Sequence, residues 1–287
     1  MASVYAGSRD SALTAHGVLQ TRRLGAHLAA LPVRTNPAKM ITMTHIFSSD
    51  LQRASLTASA IFDAQNKRDE GFDDRSPATL VKSADLCERD FRSGEGTRFN
   101  LSRDSDGGGR NAFADAESWD EMSVRAKRFI DQHLDRLLVE AGDEGDDART
   151  VVVVAHGLIL NVLLSSLLLR YTSSEMIRLQ PPQLLGASSK HNANQLRVPW
   201  SNTGHLVIHA LRTKTTFPSS VTRSTASAGD EASNIELRVV SINCTEHLIG
   251  LKKTRGGIGS QQFDPKQKTM EAFFSPSVQR RKRDGDA

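Results

Sequence analysis

The stretch that most constrains how this chain can fold is its long apolar run, Val151 to Leu169, which opens with four consecutive valines and is broken at His156-Gly157. β-Branched residues in succession favour a strand. A strand with no polar alternation is one buried on both faces, as in a mainly parallel sheet covered by helices. Leu158 to Leu169 then continues as an almost wholly apolar helix. A strand, a His-Gly turn and a buried helix account for the whole run. His156, Asn161 and Ser165-Ser166 interrupt it too often for a membrane span, so no membrane partner is expected.

The rest of the chain supplies matching elements. Thr14 is placed to cap a helix reaching about Leu31, with Leu24, Leu28 and Leu31 on one face. A short strand ends at Ile46-Phe47. Ser49 with Gln52 three residues on has the form of a capping box, opening a helix striped by Leu51, Ala54, Ala58, Ile61 and Phe62. From about Glu117, Met122, Ala126, Phe129, Ile130 and Leu137 recur with helical period, while Leu206–Leu211 and Ile235–Ile242 read as strands. These elements predict an α/β fold of three layers, with a mostly parallel central sheet between helices, in a domain spanning 1–250. Polar insertions are expected at 65–79, 97–116, 186–199 and 213–233. Residues 251–287 are poor in apolar side chains and are expected to form a disordered basic tail.

Charge and cysteine usage narrow the setting. The net charge of +4 is uneven, with acidic stretches near Asp69–Asp74 and Asp143–Asp147 and a basic Arg280-Arg281-Lys282-Arg283 run. Such a run suits nucleic acid, anionic surfaces or a nuclear import receptor; sequence-specific nucleic-acid binding is not expected. Cys87 and Cys244 are far apart and lack metal-ligand spacing, which fits a reducing compartment. The amino terminus has no apolar run, so secretion is not expected and the nucleus or cytoplasm is.

Three short segments carry the chemistry: Ser48-Ser49-Asp50-Leu51-Gln52-Arg53-Ala54, Leu86-Cys87-Glu88-Arg89-Asp90-Phe91, and Val151 to Gly157. The first puts Arg53 in the opening turn of a helix after a strand. The third puts His156 at the carboxyl end of a buried strand where a helix begins. Ligand sites of α/β sheets lie at those strand ends, and helix N-termini present free amides to anions. Arg53 and His156 converging there would make a phosphate site, with Glu88 a carboxyl group able to protonate a leaving oxygen.

In this order the segments resemble the histidine phosphatase superfamily, phosphoglycerate-mutase-like branch. The resemblance runs over about residues 4–212 and includes Leu13-Thr14-Ala15-His16-Gly17, similar to that family's Leu-Thr-x-x-Gly turn, and Ser201-Asn202-Thr203-Gly204, which enters a late strand. His16 belongs to the turn and not to the catalytic set. The resemblance implies hydrolysis of a phosphomonoester, small molecule or phosphoprotein, through a phosphohistidine, without metal or other cofactor. It assigns phosphate binding to Arg53, transition-state stabilisation to His156 and the acid to Glu88. Substrate identity stays open, because specificity in such folds sits in variable loops.

Two positions depart from the family pattern. Arg92 stands where the family has a glycine after the aromatic residue of the glutamate segment. No Arg-His-Gly precedes Val4-Tyr5-Ala6-Gly7, so the first strand, the nucleophilic histidine and one phosphate arginine are expected to be missing. The chain as given is therefore expected to be inactive or nearly so, a truncated form of an enzyme. Loss of a central strand also predicts a low melting temperature.

The tail contains Gln267-Lys268-Thr269-Met270-Glu271-Ala272-Phe273-Phe274, a Gln-x-x-aliphatic-x-x-aromatic-aromatic pattern. It resembles the peptide by which proteins bind the DNA sliding clamp (proliferating-cell nuclear antigen). In one tight helical turn Met270, Phe273 and Phe274 form an apolar plug, with Gln267 in a side pocket. The alternative expectation is therefore a non-catalytic nuclear adaptor or pseudophosphatase recruited to the clamp in a eukaryotic host.

Overall fold

The computed structural model describes residues 4–33, 36–69, 77–98, 113–139, 149–172, 197–212, 235–252 and 261–264. At its centre β3 (Thr42–Ser49) lies between β4 (Thr79–Ser83) and β5 (Arg149–Val154), parallel to both, in the order β4-β3-β5. A hairpin of β1 (Pro32–Val33) and β2 (Asn36–Met40) precedes β3. Strands β6 (His205–Arg212) and β7 (Ile235–Cys244) form a separate antiparallel pair.

The helices are α1 (Ala15–Ala29), α2 (Gln52–Asp69), α3 (Trp119–Phe129), α4 (Asp135–Val139) and α5 (Gly157–Tyr171), with a π-helical turn over Ile130–Leu134 joining α3 to α4. The two faces of the sheet meet different cores. Val152 and Val154 pack with Ile46, Leu24 and Leu28 of α1 and Ala58 and Ile61 of α2. Val151 and Val153 pack with Phe129 of α3, Leu163 and Leu167 of α5, and Leu237 and Val239 of β7. Each side of the sheet thus has its own helical layer, the expected three-layer α/β arrangement.

Thr14 caps α1 as expected, its hydroxyl accepting from Gly17 N. The capping box expected at Ser49 and Gln52 does not form. Ser49 is still in β3, its Oγ accepts from Leu51 N at 3.2 Å, and Gln52 N is satisfied by Asp10 Oδ1 at 2.6 Å. The capping box that does form joins Ser118 and Glu121 at the start of α3. Helix α2 also runs past residue 65 into the expected insertion, because Gln65 is buried on its inner face.

The valines of β5 differ from expectation in burial. All four are only partly buried, since among the described residues β5 pairs with β3 alone and its other edge is open. Most of the stretches 97–116, 186–199 and 213–233 and the motif 267–274 lie outside the described residues. Gln261–Asp264 are described: Gln262 bridges Thr14, and Phe263 N donates to Leu13 O. No described helix is long and apolar enough to cross a membrane.

Candidate active site

Arg53 is the second residue of α2, and β3 delivers it to the carboxyl end of the sheet. Its Nε–H donates to Nδ1 of His156 at 3.1 Å. Its Nη1 donates to the Arg9 carbonyl at 2.7 Å, and its Nη2 to the carbonyls of Ala6 and Gly7 at 3.1 and 2.7 Å. Among the described residues no carboxylate forms an ion pair with it. Burial lowers the pKa of this guanidinium, while Glu88 and Asp10 nearby act the other way.

His156 occupies the N-cap position of α5 with an extended backbone, φ −125° and ψ 164°, and its side chain makes no cap hydrogen bond. The residue is 8% exposed. Burial, and then the positive charges of Arg53 and Arg125, push its imidazole down to about 3. The ring is therefore neutral near pH 7. Since Nδ1 accepts from Arg53, its proton is carried on Nε2. That Nε2 is buried without a hydrogen-bond partner among the described residues.

Glu88 follows the short 3-10 turn Ala84–Leu86. Its Oε2 accepts from Leu158 N and its Oε1 from Ile159 N, both at 3.2 Å, so the carboxylate caps the first turn of α5. The favourable dipole at that helix end adds to this. Arg53, Glu88 and His156 all line one cavity. The three residues named from the sequence are thus brought together, and the cap role of Glu88 could not be seen in it.

Two further residues, Arg125 and Gly7, shape the site without signalling themselves in the sequence. Arg125 of α3 donates through Nη1 to the carbonyls of Asp85 and Cys87 at 2.7 and 2.6 Å, and through Nη2 to that of Glu88 at 3.3 Å. Its Nε and Nη2 also pair with the Glu117 carboxylate at 2.6 and 2.9 Å. Gly7 lets the amino-terminal segment pass against the glutamate loop, because a Cβ there would fall 1.8 Å from the Arg89 carbonyl oxygen. Tyr5 packs beside it against Phe91, with ring centroids 5.0 Å apart and the planes tilted by 55°. Cys87 donates to Asp50 Oδ1, and burial raises its thiol to about 11, so it is no nucleophile.

A cation and a neutral N–H donor therefore line one cavity, beside the amino end of α5 that Glu88 caps. That set suits the oxygens of a tetrahedral anion.

Residues 2–195 match the histidine phosphatase superfamily (branch 1). A probable phosphatase of Schizosaccharomyces pombe is 28% identical over 274 residues, covering 95% of this chain and 74% of that protein. Among solved structures, mycobacterial hydrolase 2 aligns over 85% of this chain and 84% of its own, with a TM-score of 0.52 and 19% identity. Mycobacterial glucosyl-3-phosphoglycerate phosphatase complexed with VO3 aligns over 84% and 91%, with a TM-score of 0.53 and 17% identity. At these identities the two structures speak for the fold.

Proposed function

Because the chain belongs to the histidine phosphatase superfamily, we propose that it forms the phosphate pocket of a phosphomonoesterase, in which Arg53 and His156 bind the phosphoryl oxygens and Glu88 serves as the acid. The observation that carries this reading is the buried, unpartnered Nε2 of a neutral His156, whose Nδ1 is tied to Arg53 at 3.1 Å. An orphan donor in a buried site is unfavourable unless something accepts from it. A phosphoryl oxygen is an acceptor of that kind. It would also supply the anion Arg53 lacks, displacing the carbonyls of Ala6, Gly7 and Arg9.

In the proposed reaction a histidine nitrogen attacks phosphorus in line as the ester P–O bond breaks. Arg53 and His156 balance charge on the equatorial oxygens, and protonated Glu88 gives its proton to the departing alcohol. Water then attacks the phosphohistidine, returns a proton to Glu88 and releases phosphate. The nucleophile is not among these residues: no Arg-His-Gly occurs in the chain. We place it in a segment ahead of Val4 in a longer form, so that residues 1–287 bind phosphate and turn over little.

The test is vanadate and phosphate binding by the 1–287 chain, followed calorimetrically, with turnover of an aryl phosphate measured in parallel. Arg53→Ala and His156→Ala are each expected to weaken anion binding about 10- to 100-fold, the scale of one charge-assisted contact. Unchanged binding in both variants sinks the pocket assignment. Vigorous turnover by the 1–287 chain that His156→Ala abolishes sinks the placement of the nucleophile.

A second reading rests on the pattern Gln267, Met270, Phe273 and Phe274. On it, the chain is a non-catalytic nuclear adaptor whose tail docks on the DNA sliding clamp. Calorimetry against the purified clamp tests it: replacing both phenylalanines with alanine should abolish binding, and unchanged affinity eliminates this reading.

A further inference from the structure

Trp200 stands where the carboxyl end of β5 hands over to α5. The point that a Cβ of Gly157 would occupy lies 3.7 Å from its Cδ1, and Gly157 directly follows His156. The indole is partly buried against the core that holds Phe129 and Leu163. It still lines the cavity shared by Arg53, Glu88 and His156. Part of the ring is thus open to the space beside the phosphate pocket.

Helix α5 fixes the ring from one side. Trp200 Nε1–H donates to Asn161 Oδ1 at 3.0 Å, and the same oxygen accepts from Val198 N at 2.9 Å. The one polar atom of the side chain is therefore spent, and what it offers a ligand is π surface.

The turn that follows is fixed from β7. Asn243 Oδ1 accepts from Ser201 N at 2.8 Å, while its Nδ2 donates to the Pro199 carbonyl at 2.7 Å and to Ser201 Oγ at 3.1 Å. Asn243 does so from a left-handed backbone, φ +47°, and Thr203 is left-handed too, φ +58°. That conformation strains a β-branched residue. The Thr203 hydroxyl donates to the Asn202 carbonyl at 2.7 Å, and its oxygen meets His247 Nε2 at 2.9 Å. Strain of this kind persists where the surroundings over-determine it, and it gathers at ligand clamps. What this strained turn carries to the cavity is an indole.

The acid and the indole also share a neighbour. Glu88 accepts from Leu158 N and Ile159 N, so both it and Trp200 abut the first turn of α5. A leaving group that takes its proton from Glu88 departs beside Trp200. We propose that Trp200 is the wall of a leaving-group subsite, and that the phosphomonoester it selects carries a planar aromatic group. This rests on the phosphate pocket proposed above.

The experiment measures, by calorimetry on the 1–287 chain, binding of vanadate and of methyl-, cyclohexyl- and phenylphosphonate, which resist hydrolysis. Phenylphosphonate should bind about tenfold more tightly than methylphosphonate, and about threefold more tightly than cyclohexylphosphonate. Trp200→Ala should erase both preferences. Vanadate and methylphosphonate, too small to reach the indole, should stay within about twofold of the parent. Trp200→Phe should keep most of the phenyl preference, since it keeps a ring without the bond to Asn161. In a Trp119→Phe chain Trp200 is the one tryptophan left of two, and 4-nitrophenylphosphonate should quench its emission saturably. Binding without quenching, equal affinity for the phenyl and cyclohexyl compounds, or an equal loss for all four anions in Trp200→Ala overturns the proposal. Vanadate binding with no aryl preference sinks the subsite and leaves the phosphate pocket. No binding of any anion sinks the pocket, and the subsite with it.

Discussion

Two arginines stand beside the same carboxylate loop and are held in opposite ways. Arg125 has a carboxylate of its own, Glu117, and three carbonyls from Asp85, Cys87 and Glu88. Arg53 has carbonyls from Ala6, Gly7 and Arg9 and a neutral imidazole, with no carboxylate paired to it among the described residues. A buried guanidinium with its anion in place is scaffold. One held only by neutral acceptors has no anion paired to it. The difference teaches that a candidate site arginine is recognised by the partner it lacks.

The comparison breaks most readily on stability. Arg125→Ala strands the Glu117 carboxylate, which is only 12% exposed, and releases the loop that carries Glu88. A loss of ~3–5 kcal/mol is expected in urea denaturation. Arg53→Leu removes a cation whose partners are neutral, and should stay within about 1 kcal/mol of the parent. Equal losses in the two variants would mean that Arg53 is scaffold as well.

Next in size is the pH dependence set by the histidine that Arg53 holds. In the unfolded chain its imidazole titrates near 6.5, and in the folded chain at about 3. Between those values the unfolded state binds more protons, so stability is full above about pH 6.5 and falls as the pH drops toward 3. The loss is on the order of a few kcal/mol across that window. His156→Gln should flatten much of this slope in denaturation series at successive pH values. A residual slope should remain from His247, lowered to about 4 by burial and by His205 and His27. Burial is the largest cause of the His156 shift and the Arg53 charge the second, so Arg53→Leu should narrow the window from below. An unaltered profile in His156→Gln would mean the imidazole is not held neutral.

The sequence disclosed this site unevenly, for physical reasons. Arg53 and His156 were legible because each sits where a strand hands over to a helix, a junction that a valine run or a Ser-Asp turn marks locally. Glu88 was named as a candidate acid, and its role as the cap of α5 was not legible, since its partners at Leu158 and Ile159 lie 70 and 71 residues away. Arg125 gave no signal: an arginine on an amphipathic helix usually faces water, and only the fold brings the carbonyls of Asp85, Cys87 and Glu88 to it. The layered fold was legible from periodicity. The open edge of β5 was not, because burial of a valine run depends on a neighbouring strand that periodicity does not count.

Glu88→Gln sharpens the contrast at a smaller scale. A glutamine keeps one oxygen acceptor for the α5 amides and loses the charge that complements the helix end. About 1 kcal/mol of stability should be lost, within the range of helix-cap substitutions. Arg125 and its carbonyl contacts should be undisturbed, so adding Arg125→Ala should give a non-additive double mutant, because the two share one loop. Strict additivity would mean that Arg125 does not position Glu88.

The smallest effect expected lies at Arg92, just beyond the loop that Arg125 ties down. Its φ is +45°, in the left-handed region that favours glycine. Its side chain is half exposed, and among the described residues its one ion pair is a 3.4 Å contact with the exposed Glu121. Such a surface pair contributes little. The local hydrogen bonds belong to the backbone: Arg92 N donates to Asp90 Oδ1 at 2.7 Å, and Glu95 N to the Arg92 carbonyl at 3.0 Å. A glycine would keep both. Relief of the left-handed strain outweighs the added freedom of the unfolded chain by a modest margin, so Arg92→Gly should stabilise by ~0.5 kcal/mol. If Arg125 alone fixes the position of Glu88, the gain should come without change in anion affinity, and it should persist in the Arg53→Leu background. A loss of stability would show that the arginine side chain, and not the turn, holds this corner of the site.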